Sequence, residues 1–157
     1  MEQTVMKSLL EVGAFAAIGI TAIGSSFGCA IAGSSAIGAW KKCYVQNKFA
    51  PFQLVVFTGA PLSQTIYGMI LMFIFDGKSQ DAAYLPYWLL FLCMGILAGI
   101  GMGICAWLQG KAAAGCCDSF AETGKGFVNN LLVLGIIETV AIFIMAFSMI
   151  LIFSMKV

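Results

Sequence analysis

Charged positions in this chain are confined to short intervals, and the segments between them are almost wholly apolar. Residues 12–40, 49–75 and 82–110 carry no charge, and 127–155 carries one, Glu138. Each segment exceeds the roughly 20 residues that span a bilayer's hydrocarbon as a helix. Four transmembrane helices are predicted, joined as two helical hairpins. Asn47-Lys48 and Thr123-Gly124 carry the turn signals. Pro51 is suited to open the second helix, where a missing amide proton costs nothing. The first segment is too long for a signal-peptide core, and a second helix follows closely, so no cleavage is expected.

Composition agrees with this pattern. Of 157 residues, 61% are hydrophobic and 10% charged, with a mean hydropathy of +1.00. Soluble domains run nearer about 45–50% apolar and about 25% charged. The fold class is therefore an all-α membrane protein. All eight basic residues are lysines. Without His or Arg the chain offers no imidazole ligand or base and no guanidinium clamp. The net charge of +1 gives no sign of a nucleic-acid partner. Cys29, Cys43, Cys93, Cys105, Cys116 and Cys117 lack CxxC spacing and read as small packing residues.

Lysine placement predicts orientation. Lys41, Lys42 and Lys48 follow the first helix, and Lys111 and Lys125 the third, while the link between helices 2 and 3 carries Asp76, Lys78 and Asp81. By the positive-inside rule, connections 41–50 and 116–126 are cytoplasmic and both termini extracytoplasmic. Helices longer than the bilayer would then form a Lys-bearing collar where a soluble partner could dock.

The chain also reads as a duplication. Ala16, Ile20, Gly24, Gly28, Ala32 and Ala36 form a four-residue row in helix 1. Cys93, Leu97, Gly101, Cys105, Gln109 and Ala113 repeat it at a constant offset of 77. A neighbouring row pairs Ala22 and Ser26 with Gly99 and Gly103. Small residues every four positions let helix backbones approach closely in lipid, so helices 1 and 3 are expected to form a tight inner wall. Aligning Leu62-Ser63-Gln64-Thr65 with Ile136-Ile137-Glu138-Thr139 sets Gln64 where the second hairpin has Glu138. The two units are residues 1–80 and 81–157.

A carboxylate near the bilayer centre costs several kcal/mol unless it is paired, protonated or bound to a cation, so Glu138 is the functional candidate. In a hairpin, residues equidistant from the turn face each other. Gln109 and Glu138 are equidistant from Thr123-Gly124, and Ala32 and Gln64 from Lys48, which sets Gln64, Gln109 and Glu138 at one level. Ser63, Gln64 and Tyr67 share a helix face by i+3 and i+4 spacing. Pro61 disturbs the helix one turn away and frees backbone carbonyls. One carboxylate, two amide oxygens, a hydroxyl, a backbone carbonyl and a phenol make an oxygen-rich set. Such a set suits a hard cation, monovalent rather than divalent given a single carboxylate.

Pro61-Leu62-Ser63-Gln64-Thr65-Ile66-Tyr67-Gly68, Leu108-Gln109-Gly110-Lys111 and Ile137-Glu138-Thr139 resemble the proteolipid ring subunit (K or c) of rotary V-type (A/V-type) ATPases in its duplicated four-helix form. Na⁺-transporting members are closest. The resemblance implies a homo-oligomeric rotor ring in the cell membrane that carries Na⁺, with H⁺ as the alternative cargo. Helices 1 and 3 would line the inside of that ring. Glu138, Gln109, Gln64, the Ser63 hydroxyl and the Ala60 carbonyl would be ligands, and Tyr67 would hydrogen-bond Glu138. Ser63 stands where Na⁺ members often have Thr, and Ala60 where a larger apolar residue is usual. Implied partners are identical subunits, a stator membrane subunit supplying the Arg this chain lacks, a central-stalk subunit at the collar, and lipid. ATP chemistry lies elsewhere, since no GxxxxGK[ST] loop is present, and the chain is expected not to be an enzyme. A stand-alone four-helix membrane enzyme would need a second catalytic group, and a stand-alone channel leaves the matched depth of the polar residues unexplained.

Overall fold

The computed structural model describes residues 2–156. Its helices are α1 (Gln3–Val45), α2 (Leu54–Gly59), α3 (Ser63–Ser79), α4 (Trp88–Thr123) and α5 (Phe127–Phe153), and the described residues include no strand. Single 3₁₀ turns at Ala60–Leu62 and Leu85–Tyr87 lead into α3 and α4. α2, the first of these turns and α3 make one bent span. Four spans are thus long and apolar enough to cross a membrane, as the hydropathy pattern predicts. At 1.5 Å per residue α1 is about 65 Å long and α4 about 54 Å, well beyond the roughly 30 Å of hydrocarbon.

The turns fall where predicted. Asn47 adopts a left-handed φ of 53°, and Gly124 and Gly126 adopt 63° and 80°. Gly124 ends α4 by donating its N–H to Phe120 O at 2.8 Å. Pro51 does not open the second span, which starts at Leu54. Instead Pro51 is buried, and its carbonyl accepts the Trp40 indole N–H at 2.7 Å, which ties the linker back onto α1.

α4 lies at the centre of the bundle. It packs on α1 on one side and on α5 on the other, and α3 bridges α1, α4 and α5. α1 and α4 run parallel and touch at the backbone. A Cβ on Gly24 would collide with Gly103, one on Gly95 with Gly13, and one on Gly110 with Gly28. The expected tight wall is therefore present, but its register on α4 differs. The seam uses Gly95, Gly99, Gly103 and Gly110, not the Cys93 to Gln109 row, whose Leu97 is 69% exposed. α4 carries two adjacent small-residue stripes. The glycine stripe admits the closest backbone approach and takes α1, leaving Gly101, Cys105 and Gln109 to α5.

Two apolar cores fill the interior. One joins Leu10, Leu71, Phe75, Phe91 and Met102 to α5 through Ala141 and Ile152. The other joins Ala32, Leu54, Phe57, Cys117, Phe120 and Leu134. Phe57 packs edge-on against Phe120 with centroids 6.1 Å apart. Leu71 and Phe57 lie on opposite sides of Gln64 along the second span, as Met102 and Cys117 do of Gln109 along α4. A polar layer thus separates the two cores.

Candidate functional site

The site begins at the break in the second span. Pro61 has no amide proton to return to the carbonyl four residues back, so the helix tightens into a 3₁₀ turn. The Ala60 N–H bonds Phe57 O, and the Ser63 N–H bonds Ala60 O. The Ser63 hydroxyl donates to that same Ala60 carbonyl at 3.0 Å. Pro61 is itself buried, and a Cβ on Gly28 would meet its ring carbon at 2.8 Å, so α1 cradles the bend from behind.

Immediately after the break stands Gln64, wholly buried. A buried amide must find partners or lose about 1–3 kcal/mol per stranded group. Gln64 Nε2 donates to Gln109 Oε1 at 2.7 Å, and Gln109 Nε2 donates to Leu134 O at 2.9 Å. One chain of hydrogen bonds therefore crosses α3, α4 and α5. Gln64 Oε1 receives only the Ser63 hydroxyl at 3.4 Å, which leaves most of its acceptor capacity free. One turn from Gln109, Cys105 donates its thiol proton to Ile137 O at 3.1 Å. Cys105 reads in the sequence as packing alone. Its place one turn from Gln109, on the same face, is the signal that could have singled it out.

Glu138 is half-buried on α5. It accepts the Tyr67 phenol O–H at 2.5 Å. That is one donor against a carboxylate's roughly four lone-pair positions. Among the described residues neither ion pair involves Glu138; they join Lys7 to Glu11 and Lys42 to Glu122. No hydrogen bond among them links Glu138 directly to Gln64 or Gln109.

Of the residues expected at one level, Gln64 and Gln109 meet, while the backbones of Gln109 and Glu138 are offset by about a turn. Gln109 reaches the carbonyl of Leu134, one turn before Glu138, and Cys105 reaches that of Ile137. The α4 backbone opposite Glu138 is therefore nearer Cys105 than Gln109. Helical side chains lean toward their own N-terminus. In antiparallel α4 and α5 that lean directs the Gln109 and Glu138 side chains toward each other across the one-turn offset. Ala60, Ser63, Gln64 and Tyr67 all lie on the second span, Gln109 on α4 and Glu138 on α5. The polar layer gathers them where these three spans meet.

Fold and site together define a class: a membrane-spanning four-helix bundle with one acidic side chain and a buried glutamine pair at mid-depth. Residues 92–151 match the ATP synthase C-subunit family, over a segment that takes in Gln109 and Glu138. The A-type ATP synthase subunit K of Methanocaldococcus jannaschii is 32% identical over 136 residues. The similarity covers 84% of this chain and 56% of that protein, so the chain spans little more than half the length of its curated relative.

Proposed function

We propose that this chain is a non-catalytic rotor-ring subunit of a rotary ATPase of the A/V type. It carries one monovalent cation, Na⁺ in preference to H⁺, at Glu138. One observation carries the reading: a single tyrosine-tethered carboxylate shares the polar layer with a buried Gln64–Gln109 pair, with no basic partner for it among the described residues. The match to the ATP synthase C-subunit family and the likeness to a subunit K support the rotor assignment. The paired glutamines support Na⁺. A proton needs only the carboxylate, whereas a dehydrated Na⁺ needs further oxygens in its shell. Gln64 Oε1 and the lone pairs of the Ser63 hydroxyl are the oxygens best placed to join Glu138. Gln109 and the Ala60 carbonyl complete the ligand set.

In this reading residues 1–80 and 81–157 are duplicated hairpins, α1 and α4 line the inside of a ring of identical copies, and the second and fourth spans face outward. A site neutralised by its ion moves past lipid and is emptied by a positive charge on a static neighbour, since this chain has no Arg. Each elementary charge moved across 100 mV is worth about 2.3 kcal/mol. The lysine-rich ends of α1 and α4 lie on the cytoplasmic side, with both termini outside. Exposed Phe49 and Phe52 beside Lys48 give the collar an apolar and basic surface for a stalk subunit.

Carbodiimide modification in membranes tests the reading. Glu138 alone is expected to be modified, and Na⁺ is expected to slow the reaction. Modification indifferent to Na⁺ but slowed by raising pH would assign the site to H⁺. A monomer on native mass measurement would remove the ring.

A further inference from the structure

Ser25 stands apart from the other buried polar side chains of the described residues. It is 3% exposed, and its Oγ has no hydrogen-bond partner. Its neighbours on α1 are satisfied: the Thr21 hydroxyl donates to Ala17 O at 2.6 Å and the Ser26 hydroxyl to Ala22 O at 2.8 Å. A stranded buried hydroxyl is costly, so its surroundings should hold a group that needs it.

The packing register locates that group. α1 and the second span run antiparallel. A Cβ on Gly68 would lie 2.8 Å from Ala17 O, 3.0 Å from Ile18 Cα and 3.2 Å from Thr21 Oγ1, and one on Gly28 would lie 2.8 Å from Pro61 Cβ. Gly68 thus packs on the turn from Ala17 to Thr21 and Pro61 on Gly28, which places Ser25, between those contacts on α1, across from the stretch between Pro61 and Gly68 that holds Gln64. α4 closes the third side, with Gly103 against Gly24 and Gln109 holding the Gln64 amide. A glutamine amide carries two N–H donors. Gln64 gives one to Gln109 Oε1, and the other makes no full hydrogen bond among the described residues, with only the weakly accepting Cys105 thiol close by to compete for it. A spare donor and an orphaned acceptor therefore stand at one height on facing helices.

We propose that Ser25 Oγ accepts the second amide N–H of Gln64 through one trapped water, and so fixes which end of the amide faces the polar layer. In that arrangement the Ser25 hydroxyl turns about its χ1 to give its proton to the Thr21 carbonyl one turn back, as its neighbours do, and this leaves the oxygen as an acceptor. With Nε2 held by both Ser25 and Gln109, the amide cannot flip, and Oε1 stays turned toward Ser63. Ser25 is then a positioning residue for Gln64. It acts from α1, a helix that supplies no group to the layer itself.

The test compares the wild-type protein with Ser25→Ala, assembled in membranes. This change removes one oxygen and suits a helix. Gln3, Gln46, Gln53 and Gln80 are exposed, so the slowly exchanging side-chain NH₂ signals of ¹⁵N-glutamine protein belong to Gln64 and Gln109. Solid-state NMR should show the Gln64 pair shifted in Ser25→Ala and exchanging with deuterium about three- to tenfold faster, with Gln109 little changed. An unmoved Gln64 signal overturns the proposal whichever cation is carried.

The second readout rests on the Na⁺ reading above. The Na⁺ concentration that halves carbodiimide modification of Glu138 should rise by about three- to tenfold in Ser25→Ala. An unchanged midpoint in a protein that does respond to Na⁺ overturns the positioning role. A wild type indifferent to Na⁺ defeats the cation reading instead, and the NMR result then decides Ser25 alone.

Discussion

The second and fourth spans each follow a lysine-bearing turn and each bring one distinctive side chain to the polar layer, yet they are built in opposite ways. The second is broken at Ala60–Leu62, and its Gln64 is wholly buried between α1 and α4. The fourth, α5, is an unbroken helix of 27 residues with Glu138 half-buried and large apolar side chains such as Ile136 and Phe143 exposed around it. The neutral amide is fixed by several partners, and the chargeable carboxyl by one phenol. A group that must bind and release a cargo is better left with few internal partners. A neutral ligand that need not change its charge is better locked, because each locked bond lowers the reorganisation needed when the cargo arrives.

That contrast breaks most sharply at Glu138. Glu138→Gln keeps the shape and removes the charge, and is expected to abolish Na⁺ or H⁺ transport in reconstituted vesicles while leaving folding and assembly intact. Retained transport would end the carrier reading. Tyr67→Phe removes the one internal tether, and a hydrogen bond to a charged group is worth about 1.5–3 kcal/mol, so cation binding should weaken by about tenfold or more. Titration of carbodiimide protection by Na⁺ measures it. Gln109→Leu strands the buried Gln64 amide, and should cost about 1–3 kcal/mol of stability along with part of the cation affinity. Thermal unfolding in detergent, scored against Glu138→Gln, separates the two losses. Pro61→Ala restores an amide proton but leaves the bend supported by α1 at Gly28, so transport should fall by less than about threefold. A larger fall would mean that the break itself, and not Gln64, is the working part of the second span.

Much of this arrangement was legible in the residues. Uninterrupted apolar runs located four spans, because hydrocarbon admits no other helix-length pattern. Asn47 and Thr123-Gly124 marked both hairpin turns, because a left-handed residue was needed at each. The repeat alignment and the count from the turns set Gln64 and Gln109 at one level, and they do meet. The one-turn offset of Gln109 from Glu138 was not legible, since counting from a turn assumes that the two helices keep step, whereas Gln109 meets α5 at Leu134 and Cys105 meets it at Ile137. The choice between the two small stripes of α4 was also hidden. Both carry residues spaced by four, and only the three-dimensional closeness of Gly24 to Gly103 selects one. Cys105 and Ser25 were passed over because a thiol and a hydroxyl in an apolar helix look like filler until the facing helix is known.

The wiring of the polar layer also has a consequence for how the protein is made. Gln64 finds its acceptor 45 residues further along the chain, and Tyr67 finds Glu138 71 residues further along. Domains emerge from the ribosome N-terminus first, at about 5–20 residues per second, so Gln64 waits about 2–9 seconds after its own synthesis before Gln109 is added. During that interval the first hairpin holds an amide and a bent backbone in or near the membrane with their lasting partners still unmade. Its early lifetime therefore depends on the insertion machinery, or on water, to shelter those groups. A chain cut in the 80–84 link would prolong that exposure until the second half arrived.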